Sequence, residues 1–373
     1  MQIQNDTEGM TLALEWAVKA MTSTAPNPRV GCVIVRDGAV IGAGHTQPPG
    51  QAHAEVEALR DAQARGHDVR GATAYVTLEP CNHFGRTPPC SDALVRAGLA
   101  RVVAAIEDPN PLVAGQGMAK LAANGIDTRT GVLAHEAYEL NIGFFSRMRR
   151  GLPWVRMKTA ASIDGGTALH NGVSQWITGA EARADGHAWR ARAGVILTGI
   201  GTVKSDNPQL TVRAADSVRQ PQRVIVDSRL EISLDARILA GAPCWIVAAR
   251  PQDERVQALR AAGHEVLLLP NADGKVDLPA LMRELGRREI NEVHVEAGSK
   301  LNGSLIREGC VDELLIYLAP CLLGTAQGMF ALGPYDDLAQ RQQLAFHQLR
   351  QIGEDLRILA RFTAPSSPAP LAL

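Results

Sequence analysis

The chain has 373 residues, with 38 Lys+Arg against 39 Asp+Glu and a formal net charge of −1. Hydrophobic residues make up 46% and charged residues 21%, the proportions of a globular chain with room for about two domains and not of a disordered one. The balanced charge gives no basic field for nucleic acid, and no run of about 18 apolar residues is present to span a membrane.

The opening MQIQNDTEGMTLALEW carries acids and lacks the basic start and apolar run of a secretion signal. Six cysteines are too sparse for a disulfide scaffold, so a reducing, cytoplasmic setting is expected, with thiols free to ligate metal. Apolar spacing predicts a helix from Met10 to Ala20, stopped by the Pro26-Asn27-Pro28 turn. Val30–Val35 and Ala39–Ile41 read as strands joined at Asp37-Gly38. His53 opens a helical stretch closed by Gly66; Thr73–Leu78 is a strand, and Ser91 is expected to cap a short helix to Ala97. Strands at Arg101–Ile106 and Ile126–Thr130 flank a helix at Gln116–Ala123, which makes a mixed sheet with helices on its faces.

The basic run Phe144 to Pro153 interrupts this pattern and places a domain boundary between residues 148 and 149. Beyond it, strands are predicted at Trp154–Ala160, Val195–Thr198, Arg223–Val226, Cys244–Ala248, Val266–Leu269 and Val293–Val295, with a helix at Gly179–Arg192. The close, from about residue 364, reads as low-complexity and disordered.

The strongest chemical signal is His53-Ala54-Glu55 followed by Pro80-Cys81-Asn82-His83 and Pro88-Pro89-Cys90. One imidazole and two thiolates leave a tetrahedral zinc one open position for water, whose pKa the metal lowers into the neutral range. Glu55, two residues past the ligand, can stand beside the metal and carry protons. The pattern matches the H-x-E of zinc nucleobase deaminases but departs from their P-C-x-x-C, since Phe84 holds the second Cys position. Spacing alone lets His83 compete with Cys90. Cys90 is favoured because two prolines set it at a helix start, while a closed site of His53, Cys81, His83 and Cys90 stays open as the structural alternative. Cys32, Cys244, Cys310 and Cys321 lie in apolar runs and read as small buried hydrophobes, His45 and His67 as unremarkable histidines. Asn27, held between two prolines, is a rigid mount or a plain turn.

The second half signals less. Gly199-Ile200-Gly201 follows a strand, but Lys204 holds the third glycine position of a dinucleotide fingerprint. The helix opening at Gly298 suits a phosphate, although two ordinary strand–turn–helix connections account equally well for these features.

Glu79 to Cys90 resembles the deaminase half of the bifunctional riboflavin-biosynthesis deaminase/reductase family. Lys158–Gly165, Ser174–Thr178 and Gly201–Arg213 are similar to its reductase half, so the likeness runs from about Gly9 to about Phe362. It implies a cytidine-deaminase-like α/β/α sandwich for residues 1–148 and a dihydrofolate-reductase-like α/β domain for 149–373, using zinc and NADPH. It implies zinc on His53, Cys81 and Cys90, proton transfer by Glu55, and substrate contacts from Asn27, His45 and His83. In the second domain it implies cofactor contacts from Ala160, Trp176, Thr202, Asp206, Ser228 and Gly298. Ser174, Arg190, Leu210, Arg213 and Glu296 would hold substrate, with Lys158, Asp206 and Glu296 the candidates for proton supply. Arg213 has the best independent case, a guanidinium fork suited to a ribose phosphate. The expected partner is a phosphorylated pyrimidine, with no nucleic acid or membrane, in a homo-oligomer. The enzyme alternative is a deaminase of bases in nucleic acid with an accessory domain, which 4% aromatic content does little to support. The non-enzyme alternative is a zinc-stabilised scaffold.

Overall fold

Backbone hydrogen bonding gathers these segments into two main sheets, one in each of two units that divide between Arg150 and Gly151. The computed structural model describes residues 2–83, 88–111, 114–213 and 219–363. The predicted tail from 364 lies outside these residues, as does most of the loop after His83.

Unit 1 runs α1 (Asp6–Val18), β1 (Gly31–Arg36), β2 (Ala39–His45), α2 (Ala54–Ala64), β3 (Thr73–Val76), α3 (Cys90–Ala97), β4 (Arg101–Ala104), α4 (Gln116–Ala123), β5 (Asp127–Thr130), α5 (Ala134–Leu140) and α6 (Ile142–Arg150). The sheet order is β2-β1-β3-β4-β5, antiparallel up to β3 and parallel beyond. Helix α1 starts earlier than its apolar spacing predicts, because the Asn5 side chain caps it by accepting from Glu8 N. It packs with α5 on one face, and α2, α3 and α4 follow one another on the other.

Small residues set those distances. A Cβ on Gly31 would lie 1.9 Å from Ala13 O of α1, while one on Gly44 would lie 2.5 Å from Ala58 N of α2. Gly42 and Gly44 meet Ala58 and Ala62, so α2 rests almost backbone to backbone on β2.

Two local expectations change. Pro89 holds the cap position of α3, and Ser91 instead donates its hydroxyl to Asn82 Oδ1 at 3.0 Å. The segment expected to break periodicity is helical through Arg150. Ile142, Phe144 and Phe145 are buried in unit 1, and the basic run ends α6, where cations favour the helix dipole.

Unit 2 runs β6 (Trp154–Ser162), β7 (Gly166–Leu169), α7 (Ala180–Arg192), β8 (Val195–Gly199), α8 (Ile200–Asp206), β9 (Gln222–Val226), β10 (Trp245–Ala248), α9 (Asp253–Ala261), β11 (Glu265–Leu268), α10 (Leu278–Arg287), β12 (Glu292–Val295), α11 (Ser299–Arg307), β13 (Glu313–Ala319), β14 (Ala326–Gly328), β15 (Leu344–Ile352) and β16 (Asp355–Phe362). Its nine-stranded sheet has the order β11-β10-β9-β8-β12-β6-β13-β16-β15, parallel except for the β15–β16 hairpin at one edge. Val155, Val195, Val293 and Leu314 fill one face with α10 and α11. Cys32, Cys244 and Cys310 are buried as read from their apolar runs; Cys321 is only half-buried. Among the described residues no helix is long and apolar enough to cross a membrane.

Candidate active sites

The glycine seat of α2 carries His53 to the carboxyl end of β3, because His53 caps the helix and Glu55 lies in its first turn. Cys81 follows β3, and Cys90 opens α3 with its N–H donated to Cys81 Sγ at 3.4 Å. His53 Nδ1 is 3.6 Å from Cys81 Sγ and 3.3 Å from Cys90 Sγ, and the three donor atoms all lie within 4.8 Å of one another. One nitrogen and two sulfurs converging this closely fit zinc and leave a fourth tetrahedral position free. The hydrogen bond from Cys90, and His53 beside it, hold the Cys81 sulfur well below the usual thiol value; the same pairing and burial push Cys90 up. His83 is exposed and lies outside this group of donor atoms.

Glu55 is 4% exposed. Burial, then the negative sulfur of Cys81, push its carboxyl up to about 7, and a divalent ion at the triad draws it back toward the carboxylate range. Asn27 is half-buried in a turn, its N–H on Thr24 O at 2.8 Å. His45 stacks at a tilt on Trp16, with ring centroids 6.0 Å apart.

Sequence reasoning missed Asp108. It follows β4, beside the β3 end that carries Cys81, and burial pushes its pKa up to about 6 in the company of Glu79, Cys81 and His83. What marks it is the sheet order, which sets an acid just past the carboxyl end of β4 beside the β3 end that leads to Cys81.

In unit 2, Glu292 and His294 of β12, and Glu296 just past its end, share one face against α7. Arg190 of α7 forks onto Glu296 at 2.7 and 2.9 Å, and Arg192 reaches Glu292 at 2.7 Å. An isolated helical arginine is usually solvated, but this one has a side chain only 12% exposed. Glu296 is held past the strand end by its N–H on Leu197 O and by Thr198 Oγ1 on its carbonyl. Burial disfavours its charge, yet Arg190, His294 and Lys158 hold its carboxyl well below the usual range. Burial pushes Lys158 below the usual amine value, with Glu296 pulling the other way. His294, 1% exposed, has Nε2 3.5 Å from Glu296 Oε1, and burial pushes its pKa down to about 3.

The remaining sequence-derived residues spread along the carboxyl edge of this sheet and the loops beyond it. The first turn of α11, after Gly298, has no side-chain cap, and the atom nearest a Cβ built on Gly298 is Thr202 Oγ1 at 3.9 Å. A Cβ on Gly201 would meet nothing within 4 Å, so the backbone there faces open space. Ser228 follows β9 and accepts Val276 N, and Ala160 is half-buried on β6. Trp176 is 70% exposed beneath the Arg183 guanidinium, and Ser174 is half-buried two residues before it. Arg213 is exposed, donating to Gln209 and Thr211. Leu210 buries its side chain in the core around β9 and β10, leaving its main chain as the group within a ligand's reach. Asp206 is exposed at the end of α8, accepting from its neighbour Ser205, and is not drawn into the cluster of Lys158, Arg190 and Glu296.

A His-Cys-Cys triad on a mixed sheet, continued in the same chain by a second, largely parallel sheet, is the architecture of a zinc deaminase joined to a second α/β enzyme unit. The family models agree. Residues 3–106 match the cytidine and deoxycytidylate deaminase zinc-binding region, and residues 153–358 match the RibD C-terminal domain. The chain is 45% identical to the riboflavin biosynthesis protein RibD of Escherichia coli, covering 93% of this chain and 96% of that one, and 42% identical to its Haemophilus influenzae counterpart, covering 94% and 95%. Among solved structures, Acinetobacter baumannii RibD superposes with a TM-score of 0.87 at 41% identity, covering 96% of this chain and 99% of that one. The Thermotoga maritima diaminohydroxyphosphoribosylaminopyrimidine deaminase/5-amino-6-(5-phosphoribosylamino)uracil reductase gives 0.86 at 31%, covering 96% and 98%. The chain belongs to the RibD family. It is a bifunctional deaminase/reductase of riboflavin biosynthesis, with zinc in the first activity and NADPH in the second.

Proposed function

We propose that unit 1 replaces the 2-amino group of a diamino-ribosylamino-pyrimidinone 5′-phosphate by oxygen, and that unit 2 reduces the ribosyl chain of the product to ribityl. The observation that carries this reading is the convergence of His53, Cys81 and Cys90 beside a buried Glu55.

His53, Cys81 and Cys90 hold the zinc, which when bound supplies a water acidic enough to attack near neutral pH. Glu55 is too deep to trade its proton freely with solvent, so it passes protons from that water to the ring nitrogen and to the departing ammonia. Asn27, His83 and Asp108 orient the pyrimidine and its ribose phosphate.

In unit 2 the carboxyl edge of the sheet would hold NADPH, which when bound would supply the hydride for reduction at C1′ of the opened ribosylamine. Ala160, Trp176, Thr202, Asp206, Ser228 and the Gly298 loop hold the cofactor along the sheet edge. Ser174, Arg190, Glu296 and the main chain of Leu210 orient the sugar, and the exposed Arg213 takes its phosphate. Of the candidates for proton supply, Lys158 is preferred over Asp206, because Lys158 lies with Glu296 and Arg190 while Asp206 faces solvent.

The chain works as a homo-oligomer in a reducing, cytoplasmic setting. Edge strand β15 is exposed along almost its whole length, with Phe346 at 73% and Leu349 at 55%, a surface that a second copy covers. Free cysteines throughout suit that compartment.

The test is incubation with the diamino substrate, with and without NADPH, followed by mass spectrometry. Exchange of amine for oxygen adds about one mass unit, and hydride plus proton adds about two more. Both steps, the second only with NADPH, are expected. Substrate left unchanged by zinc-loaded, folded protein would overturn the substrate assignment.

A further inference from the structure

Glu79 stands two residues before Cys81 and is 3% exposed, yet among the described residues no Lys, Arg or His pairs with it. Its partners are backbone N–H groups. Oε2 accepts from Asp108 at 3.2 Å and Gly115 at 2.9 Å; Oε1 accepts from Gly117 at 2.8 Å and Met118 at 3.3 Å. The donors come from two segments, the loop after β4 and the first turn of α4. Glu79 N, in turn, donates to Ile106 O at 2.9 Å, extending the β3–β4 pairing past the strand ends.

The sequence makes this junction possible at a specific point. A Cβ on Gly117 would lie 1.9 Å from Pro80 O, so only glycine lets the first turn of α4 press on Glu79-Pro80. One carboxylate thus ties the turn that delivers Cys81 to the loop that delivers Asp108. Among the described residues the partners of this buried carboxyl are main-chain donors, and removing it would leave four N–H groups stranded.

We propose that Glu79 is a positioning residue of the deaminase, fixing the Asp108 loop against the metal-binding turn so that Asp108 meets the N–H and O–H donors of the pyrimidine substrate in a preformed place. This rests on the reading of unit 1 given above. Glu79 acts on substrate binding through Asp108, and neither ligates zinc nor moves a proton.

The experiment compares full-length wild type, Glu79→Gln, Asp108→Asn and the double variant for zinc content, deaminase kcat and KM, and reductase rate on the deaminated intermediate. Glu79→Gln keeps the shape but turns an NH2 toward the N–H groups. It is expected to retain equimolar zinc and full reductase rate while deaminase KM rises about tenfold or more and kcat stays within about threefold. The double variant is expected to have the KM of Asp108→Asn alone, the mark of two residues acting as one unit. Loss of zinc, a fall in kcat with KM unchanged, or KM effects that multiply would each overturn the proposal. If Glu79→Gln does not accumulate folded, Glu79→Asp carries the test, with a KM between wild type and Asp108→Asn expected and an unchanged KM overturning it. A wild type that binds zinc yet never deaminates this substrate speaks against the reading of unit 1 and is distinguishable from every one of these outcomes.

Discussion

At the scale of single residues, Glu55 shows how burial and neighbours decide a role that residue type leaves open. A glutamate two positions past a metal-ligating histidine could be a fourth ligand or a proton carrier. Here it lies on the same helix start as His53, buried, and outside the converging set of donor atoms. Glu55→Gln is therefore expected to leave zinc bound at wild-type stoichiometry while deamination falls by about a hundredfold or more, the usual worth of a general acid–base group. Metal analysis alongside turnover checks this, and loss of zinc with activity would place Glu55 on the metal. His53, Cys81 and Glu55 stood out from spacing, and Cys90 was preferred over His83 for its place after two prolines at a helix start. Asp108 and the Arg190–Glu296 pair did not stand out, since one depends on which strand ends lie side by side and the other on how α7 packs against β12.

At the scale of elements, the seat of α2 on β2 controls the metal site. Gly42 and Gly44 admit the helix, and Ala54, Ala58 and Ala62 repeat every four residues along the face it presents. A methyl added at Gly44 would meet Ala58 N and Ala54 O at 2.5 and 2.8 Å, main-chain atoms that cannot swing aside. Gly44→Ala is expected to cost about 1–3 kcal/mol in denaturant unfolding and to weaken zinc retention against a chelator, as the overpacked helix shifts His53. Unchanged zinc affinity in the folded variant would show that the triad tolerates movement of α2. The helix at Ile142–Arg150 teaches a related lesson. A basic run looked like a break because charge was read without the three buried apolar residues just before it, Ile142, Phe144 and Phe145.

At the scale of the whole molecule, the two units have their own sheets and cores, with no core residue shared between them among the described residues. Zinc removal is accordingly expected to abolish the first step and leave the second. With a chelator present, NADPH oxidation on the deaminated intermediate should proceed at the untreated rate, while the diamino substrate stays unconverted. A parallel fall in both rates would mean that the metal supports the reductase unit too.

The sequence by itself pointed to His53, Cys81 and the neighbouring Glu55, to much of the alternation of strands and helices and, through resemblance, to the family; these are local patterns set by spacing of a few residues. Tertiary structure alone decided that His83 stands outside the donor group and that Asp206 is apart from the Lys158 cluster. It also decided that Arg190 is spent on Glu296 and that Glu79 gathers four amides from segments about thirty to forty residues away. Those facts come from strand order. Neighbours in a parallel sheet are joined by crossover connections, so the residues that meet at its carboxyl edge are distant in the chain and leave no periodic trace in it.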